Sequence, residues 1–513
     1  MTNPAATMRM LITYVILIPV AILVGYLLTN PLDFGTLGFL GLIIALIVSP
    51  IFIRWHYPLL VFGLACPMVC FFLVGKPPLS QAAVFVSLGI SIVERTLNSD
   101  KRFISAPVMI WPLLFLLGMM IITAELTGGV GLHSLGGDTG GGRKYITVLA
   151  GICTYFALVS QRIPRAHWKF YLALSMLPSI MGSLGDFFPY LPSPLNYVNL
   201  LFPPTQSYTD VTVGTTRLTA LAGSFGVVPY FLLARYGLRG VFLEGKLWRP
   251  VIFIGFFGLS LLGGYRNTFI GFVALVTLMF FMEGLHRSRL MPLIVLVGAM
   301  GISLLGAFST SLPYTFQRSM SVLPFFKWDS AVLQDAEGSS EWRLTIWRAT
   351  WPKVPQYLLL GKGYGISADD YSMIGNGTFA GLQSSHLDAA EAALAISGDY
   401  HSGPLSTLMP FGIWGGIGMI WLMLATTFVL YRNHRYGDSE LRVFNCFMLA
   451  SGLWYIVSFF FVFGAFNNDV GGFARMAGFS IAMNWGVARR LAKPEYNARI
   501  KPLPEPSPLP QPA

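Results

Sequence analysis

Charge is scarce in this chain. Only 11% of its 513 residues are Asp, Glu, Lys or Arg, against about 25% in soluble globular proteins. That shortage, beside 54% hydrophobic residues, excludes an ordinary water-soluble domain. Cysteine is scarce as well, with four in all. Cys66 and Cys70 are spaced for one helical face, but they lie in an apolar run with no His or carboxylate nearby. They read as packing residues, not as a disulfide or a metal pair. Acidic residues number 23 against 34 Lys and Arg, a net charge of +11. In a soluble protein that excess suggests nucleic acid; in an apolar chain it is the positive-inside bias, and no nucleic-acid partner is expected.

What the chain has is long apolar runs. Each crosses a hydrocarbon core of about 30 Å if it is helical, at 1.5 Å per residue. Hydropathy places about fourteen spans, near 9–28, 35–52, 58–75, 78–93, 106–124, 145–160, 168–183, 218–235, 249–263, 267–283, 291–310, 403–431, 441–464 and 470–488. The first is too long for a signal-peptide core and no small-residue cleavage site follows it, so it is expected to stay as a span.

The charge distribution tests that layout. With the N-terminus inside, the inner connections hold 22 of the 34 basic residues and only 8 of the 23 acidic ones. Clusters such as Lys101-Arg102 and Arg489-Arg490 alternate with the spans, as topology-determining cations do. The proline-rich stretch 493–513 reads as a disordered inner tail. The longest polar stretch, 311–402, falls outside, and a loop of that length is usually functional or a small domain. A short amphipathic helix at the membrane surface is expected near Ser340 to Trp351. The Gly-rich stretch 128–142 followed by Arg143-Lys144 superficially suggests a phosphate loop, but no Ser or Thr follows the Lys and no strand precedes it, so it reads as a plain loop.

Mid-span ionisable residues are few, which argues against proton- or ion-coupled transport. The charges gather at the outer boundary instead. Arg217 lies where a span begins, and Arg266 ends the tight turn Gly263-Gly264-Tyr265-Arg266. Arg343 and Arg348 lie in the outer loop at i and i+5, a spacing that splits them between helix faces. His401 closes the loop before Ser402-Gly403-Pro404. Any one of these has a bland reading as a lipid-headgroup anchor or an ordinary polar loop residue. Together, several guanidiniums suit a diphosphate, since each offers planar bidentate donors. A His beside them suits proton transfer near neutral pH.

These residues resemble the O-antigen ligase/polymerase superfamily, bacterial membrane glycosyltransferases that use polyprenyl-diphosphate-linked saccharides. The Arg217 segment is similar to the family's first arginine region, and Gly264-Tyr265-Arg266-Asn267-Thr268 to the turn whose Arg opens a later span. Trp342-Arg343-Leu344-Thr345-Ile346-Trp347, then Gly361-Lys362-Gly363-Tyr364-Gly365, is similar to its Arg-to-Trp helix and Gly-x-Gly-x-Gly turn. His401-Ser402-Gly403-Pro404-Leu405, ending in Gly412-Ile413-Trp414-Gly415, is similar to its His-Asn-x-x-Leu…Gly-x-x-Gly signature, with Ser402 where the family has Asn. The likeness covers about residues 210–425.

Hydropathy and charge distribution give an all-α polytopic integral membrane protein with both termini cytoplasmic and one large extracytoplasmic loop containing short helices. The resemblance implies a metal-independent, inverting glycosyl transfer at the periplasmic side of a bacterial inner membrane, with no cofactor. Partners would be a polyprenyl-diphosphate-linked saccharide donor, a glycan or lipid-glycan acceptor, and membrane lipids. Arg217 and Arg266 would stabilise the leaving diphosphate, with Arg343, Arg348, Glu341, Asp399 and Trp347 binding substrate. His401 would take the acceptor hydroxyl's proton. Polymerase is slightly favoured over ligase. The alternatives are a transporter or flippase of lipid-linked saccharides, or a non-catalytic membrane scaffold. The expected parts are N-terminal spans over 1–210, central spans over 211–310, the loop over 311–402, C-terminal spans over 403–492 and the tail over 493–513.

Overall fold

The computed structural model describes residues 34–489, apart from 74, 99, 101, 129–140, 188–191, 204–208, 211–214, 290, 366–397 and 399, together with parts of 14–25. In lipid a backbone must satisfy its own polar groups, and an apolar chain does so as helix. The first helices are α1 (Phe34–Ala65), α2 (Leu79–Leu97), α3 (Pro107–Thr127) and α4 (Gly142–Leu158). Next come α5 (Trp168–Met176), a 3-10 run over Leu177–Ser183, and α6 (Leu184–Phe187). A two-residue antiparallel pair, β1 (Thr209–Asp210) and β2 (Thr215–Thr216), leads into α7 (Thr219–Phe242). Asp186 accepts a hydrogen bond from Leu221 N at 2.8 Å, satisfying a first-turn donor of α7 where a carboxylate also suits the helix dipole. Asp186 is therefore part of a helix start.

The central part is α8 (Trp248–Ser260), α9 (Arg266–Met282) and α10 (Met291–Phe308). The polar stretch then forms α11 (Tyr314–Met320), α12 (Ser330–Thr350) and α13 (Val354–Tyr357). The chain ends in α14 (Gly403–Tyr436), α15 (Arg442–Phe461) and α16 (Phe466–Asn484). Among the described residues, four helical stretches are long and apolar enough to cross a membrane: Pro107–Thr127, Thr219–Phe242, Gly403–Tyr436 and Ser439–Phe461. Helix α9 and the stretch Trp248–Gly263 are shorter apolar helices. The chain is a helical membrane protein.

Two apolar cores hold the bundle. One joins α1, α5, α7, α9 and α15 around Tyr57, Leu233, Leu275 and Phe444. The other joins α3, α4, α14 and α16 around Met109, Leu116, Tyr155 and Phe473. The α4–α16 pair approaches so closely that a Cβ on Gly151 would lie 2.8 Å from Gly471 Cα. Small residues permit such backbone contact in a medium where packing drives helix association.

The structure differs from the sequence expectation in three places. Residues 34–65 are one helix with Pro50 and Pro58 inside it, where hydropathy separates spans at 35–52 and 58–75. The polar residues read as a connection belong to the helix: His56 is buried and pairs with Ser87 Oγ (2.9 Å) and Gln161 Nε2 (3.0 Å). Past Ala65 the chain turns back, with Cys70 N donating to Pro77 O. Cys66 and Cys70 therefore do not share a helix face, although both are buried free thiols. Finally, Arg475 lies inside helix α16, a cation within the span expected at 470–488. Half of the first expected span lies outside the described residues, and the proline-rich tail lies wholly outside them.

Candidate functional site

Helix α12 organises the site. Asp329 caps it by accepting from Ala331 N, the usual work of an Asp at this position. The helix runs 21 residues to Thr350, longer at its start than the amphipathic segment expected from the sequence. Along it Asp335 meets Arg217 and Ser340 meets Arg266, each from a neighbouring helix start.

Arg217 stands two residues before the first residue of α7, and its Nη2 donates to Asp335 Oδ2 at 2.5 Å. Arg318, on α11, donates through Nε to the same oxygen and through Nη1 to Gly264 O (2.5 Å). Tyr314 OH donates to Asp335 Oδ2 at 2.9 Å. Arg266 opens α9 and donates from Nη2 to Ser340 Oγ at 2.9 Å; it also feels the charges of Arg318 and Arg343. Gly264 has φ +68°, and a Cβ there would meet Arg318 Cδ at 3.4 Å and Arg217 Cδ at 3.8 Å. A glycine satisfies both the left-handed backbone and the close passage of two arginine stems.

Two guanidiniums thus bond one carboxylate, and those of Arg266 and Arg343 lie near enough to feel the charge of Arg318. Asp335 is 22% exposed, and Arg217 and Arg318 are 12% and 7% exposed. Burial by itself pushes the Asp335 carboxyl up, but the Arg318 hydrogen bond, the Tyr314 hydroxyl and the charges of Arg318 and Arg217 hold it below its ordinary value. Arg343 is lowered by burial first and by Arg318 second. Its Nε is buried with no hydrogen-bond partner among the described residues. A buried unmade donor is costly, and an anion seated among these arginines would receive it.

His401 lies on the same helix's flank. Its ring sits 5.0 Å from the Trp342 ring and 4.9 Å from the Phe463 ring, so the residue next to Arg343 touches the histidine. Trp347 Nε1 donates to Tyr400 O at 2.8 Å, tying α12 to the segment that carries His401. His401 itself has φ +49°, in the left-handed region.

Arg348 and Trp347 do not join the arginine cluster. With Trp351, Ser402 and Pro404 they line a separate groove of about 510 Å³, as the i, i+5 spacing predicts. Glu341 is exposed on α12, and no contact joins it to the cluster among the described residues. Asp399 lies outside the described residues, as do Asp369, Asp370, Asp388 and Glu391. The sequence reading missed Arg318 and Asp335, which have no motif around them; the only hint was that they sit in the outer loop.

The Gly-x-Gly-x-Gly turn has a structural explanation. Helix α14 breaks at Gly412 (φ 60°, ψ −155°), which frees carbonyls one turn earlier. Lys362 N donates to Met409 O (2.8 Å) and Gly363 N to Pro410 O (2.9 Å), while Ile413 N donates to Leu358 O (2.7 Å). A Cβ on Gly363 would lie 2.2 Å from Thr127 Oγ1, so no other residue lets the turn insert there. The turn braces the short helical segment that follows His401.

Residues 250–420 match the O-antigen ligase family. That third of the chain contains Arg266, Arg318, Asp335, Arg343, Arg348 and His401; Arg217 precedes it. The match supports the O-antigen ligase/polymerase superfamily. No curated protein and no solved structure matches the chain.

Proposed function

From a chain whose residues 250–420 match the O-antigen ligase family, we propose a membrane glycosyltransferase that moves a saccharide from a polyprenyl-diphosphate carrier to a glycan acceptor. The reaction takes place on the periplasmic side of a bacterial inner membrane. The observation that carries this reading is the cluster of Arg217, Arg318, Arg266 and Arg343, of which the first two share Asp335, with the unmade donor of Arg343. Such a cluster has an excess of fixed positive charge, and a departing diphosphate supplies the opposite charge as the glycosidic bond breaks.

In the proposed step an acceptor hydroxyl oxygen attacks the anomeric carbon. The bond from that carbon to the phosphate oxygen breaks, and both electrons leave with the diphosphate. Arg217, Arg266, Arg318 and Arg343 stabilise the developing charge, so the step calls on no cation. His401 takes the hydroxyl proton; Trp342 and Phe463 fix its ring plane, and the Trp347–Tyr400 hydrogen bond holds its segment against α12. The groove at Trp347, Arg348 and Ser402 is the proposed acceptor approach. The carboxylates of Glu341 and Asp399 are proposed to contact sugar hydroxyls.

The test is to replace His401, check that the protein reaches the membrane at normal abundance, and profile lipid-linked saccharides in the native host. Accumulation of intact precursors with loss of mature glycan is expected. Single repeat units in that pool identify a polymerase, the slightly favoured form, and long chains identify a ligase. Wild-type glycan and precursor pools would overturn the mechanism.

A further inference from the structure

A second cationic cavity lies away from the arginine cluster. Helices α1, α2, α4 and α16 line an open cavity of about 700 Å³, within the size range of small-molecule sites. Arg143 and Lys144 stand at one end, on the first turn of α4. Arg475 stands deeper, seven residues down α16 from Asn468, about 10 Å along the helix. Polar side chains fill the space between, among them Gln81, Thr147, Asn467 and Asn468.

Among the described residues, three cations line this cavity and no acidic side chain does. The acid nearest on α16 is committed elsewhere: Asp469 accepts from Tyr455 OH and Ala465 N, both at 2.6 Å. Arg475 is held by main-chain carbonyls, donating from Nη1 to Leu64 O (2.7 Å) and from Nη2 to Ser175 O (2.8 Å). Those two bonds fix its position and leave its charge uncompensated among the described residues. A guanidinium buried inside the helix bundle of a membrane protein is costly, and such residues usually mark ligand paths. Arg475 also borders a second, apolar cavity of about 330 Å³, lined by Tyr230, Phe444, Met448 and Met476. One arginine therefore stands between a polar cationic chamber and an apolar one.

We propose that the polar chamber is a separate binding site for the phosphate of a phosphorylated saccharide or lipid headgroup, held by Arg143, Lys144 and Arg475. The polar amides and hydroxyls suit sugar hydroxyls, and the apolar chamber behind Arg475 is where a lipid's chain would begin. The site goes beyond the transferase reading and does not depend on it.

The experiment titrates purified, delipidated full-length protein with glucose 1-phosphate and, separately, with phosphatidylglycerol, and reads bound ligand by native mass spectrometry. At least one probe is expected to bind saturably, and about tenfold more weakly to the double variant Arg143→Gln/Lys144→Gln, which loses charge-assisted bonds. That variant changes only the outer end of α4, so it keeps the fold even if Arg475→Gln does not. Binding of glucose 1-phosphate identifies a phosphosaccharide site, and binding of phosphatidylglycerol alone identifies a headgroup site. Failure of both probes, or equal binding by wild type and the double variant, overturns the proposal. Arg266→Gln is expected to bind like wild type; if it loses binding, the phosphate sits in the other arginine cluster and the proposal fails. Intact glycan synthesis in Arg266→Gln would sink the transferase reading and leave this site standing.

Discussion

Asp335 receives Arg318 on α11 and Arg217 just before α7 on its Oδ2, and Arg318 also reaches its Oδ1 at 3.4 Å. Among the described residues it holds two arginines, one just before α7 and one in the last turn of α11, beside Arg266 and Arg343. Removing it leaves partly buried guanidiniums facing one another. Asp335→Asn is expected to destabilise the protein by about 3 kcal/mol, the scale of breaking a buried pair from one side. Thermal unfolding in detergent measures this, and an unchanged midpoint would show that the arginines repack without their partner.

The same carboxylate sets an acid limit. Its folded value lies below its ordinary one, so its stabilisation is fully present above the unfolded value, about 3.9, and is lost as pH falls through the folded value. Stability from this group should be flat between about pH 5 and 8 and decline below about pH 4. Thermal midpoints measured across that range should show the acid decline in the wild type and a smaller one in Asp335→Asn.

Arg343 and Arg348 should separate in kinetics as they do in space. Arg343→Gln removes a guanidinium from the cluster and is expected to lower the transfer rate about 100-fold, the scale of losing one stabilising donor. Arg343→Lys should recover little, because a point charge does not replace a planar fork. Arg348→Gln, at the groove beside Ser402, should raise KM for acceptor with a smaller effect on kcat. Equal effects of the two substitutions on kcat would show that α12 does not divide its faces in this way.

The parts of the site that were legible in the sequence are those where local chemistry and position coincide. Arg217 and Arg266 stand where a polar turn gives way to an apolar run, so hydropathy alone marks them as helix starts. His401 precedes Gly403-Pro404, a combination that opens a helix. Arg318 and Asp335 were illegible because their pairing depends on how α11 and α12 fold back, and 17 residues of separation carry no periodic signal. His56 shows the reverse error: a polar residue that lowers local hydropathy was read as a loop, but Ser87 and Gln161 satisfy it inside the bundle. Arg475 was passed over because a single cation hardly changes the mean of an apolar window.

The brace between the glycine turn and α14 predicts position-specific intolerance. Gly363→Ala forces a Cβ to within 2.2 Å of Thr127 Oγ1 at φ +71°, and a cost of about 2 kcal/mol or more is expected from strain and displacement together. Gly298→Ala is the contrast. It lies within α10, where an added Cβ meets nothing within 4 Å, and alanine favours helix. Membrane abundance and unfolding temperature of the two variants should therefore move apart.

His401 has its own backbone constraint, and it decides which substitution probes the chemistry. At φ +49° an alanine is strained, whereas Asn and Gly accept the left-handed region readily. His401→Asn should therefore keep near-wild-type abundance and stability while abolishing transfer, because an amide does not take a proton near neutral pH. His401→Ala should lose transfer with an additional drop in stability of about 1 kcal/mol, the scale of a residue held in a sparsely populated region. If His401→Asn and His401→Gly retain transfer, His401 serves the turn that starts α14 and the general base lies elsewhere. If both lose transfer at full abundance, the imidazole itself is required, and the strained backbone is what keeps it between Trp342 and Phe463.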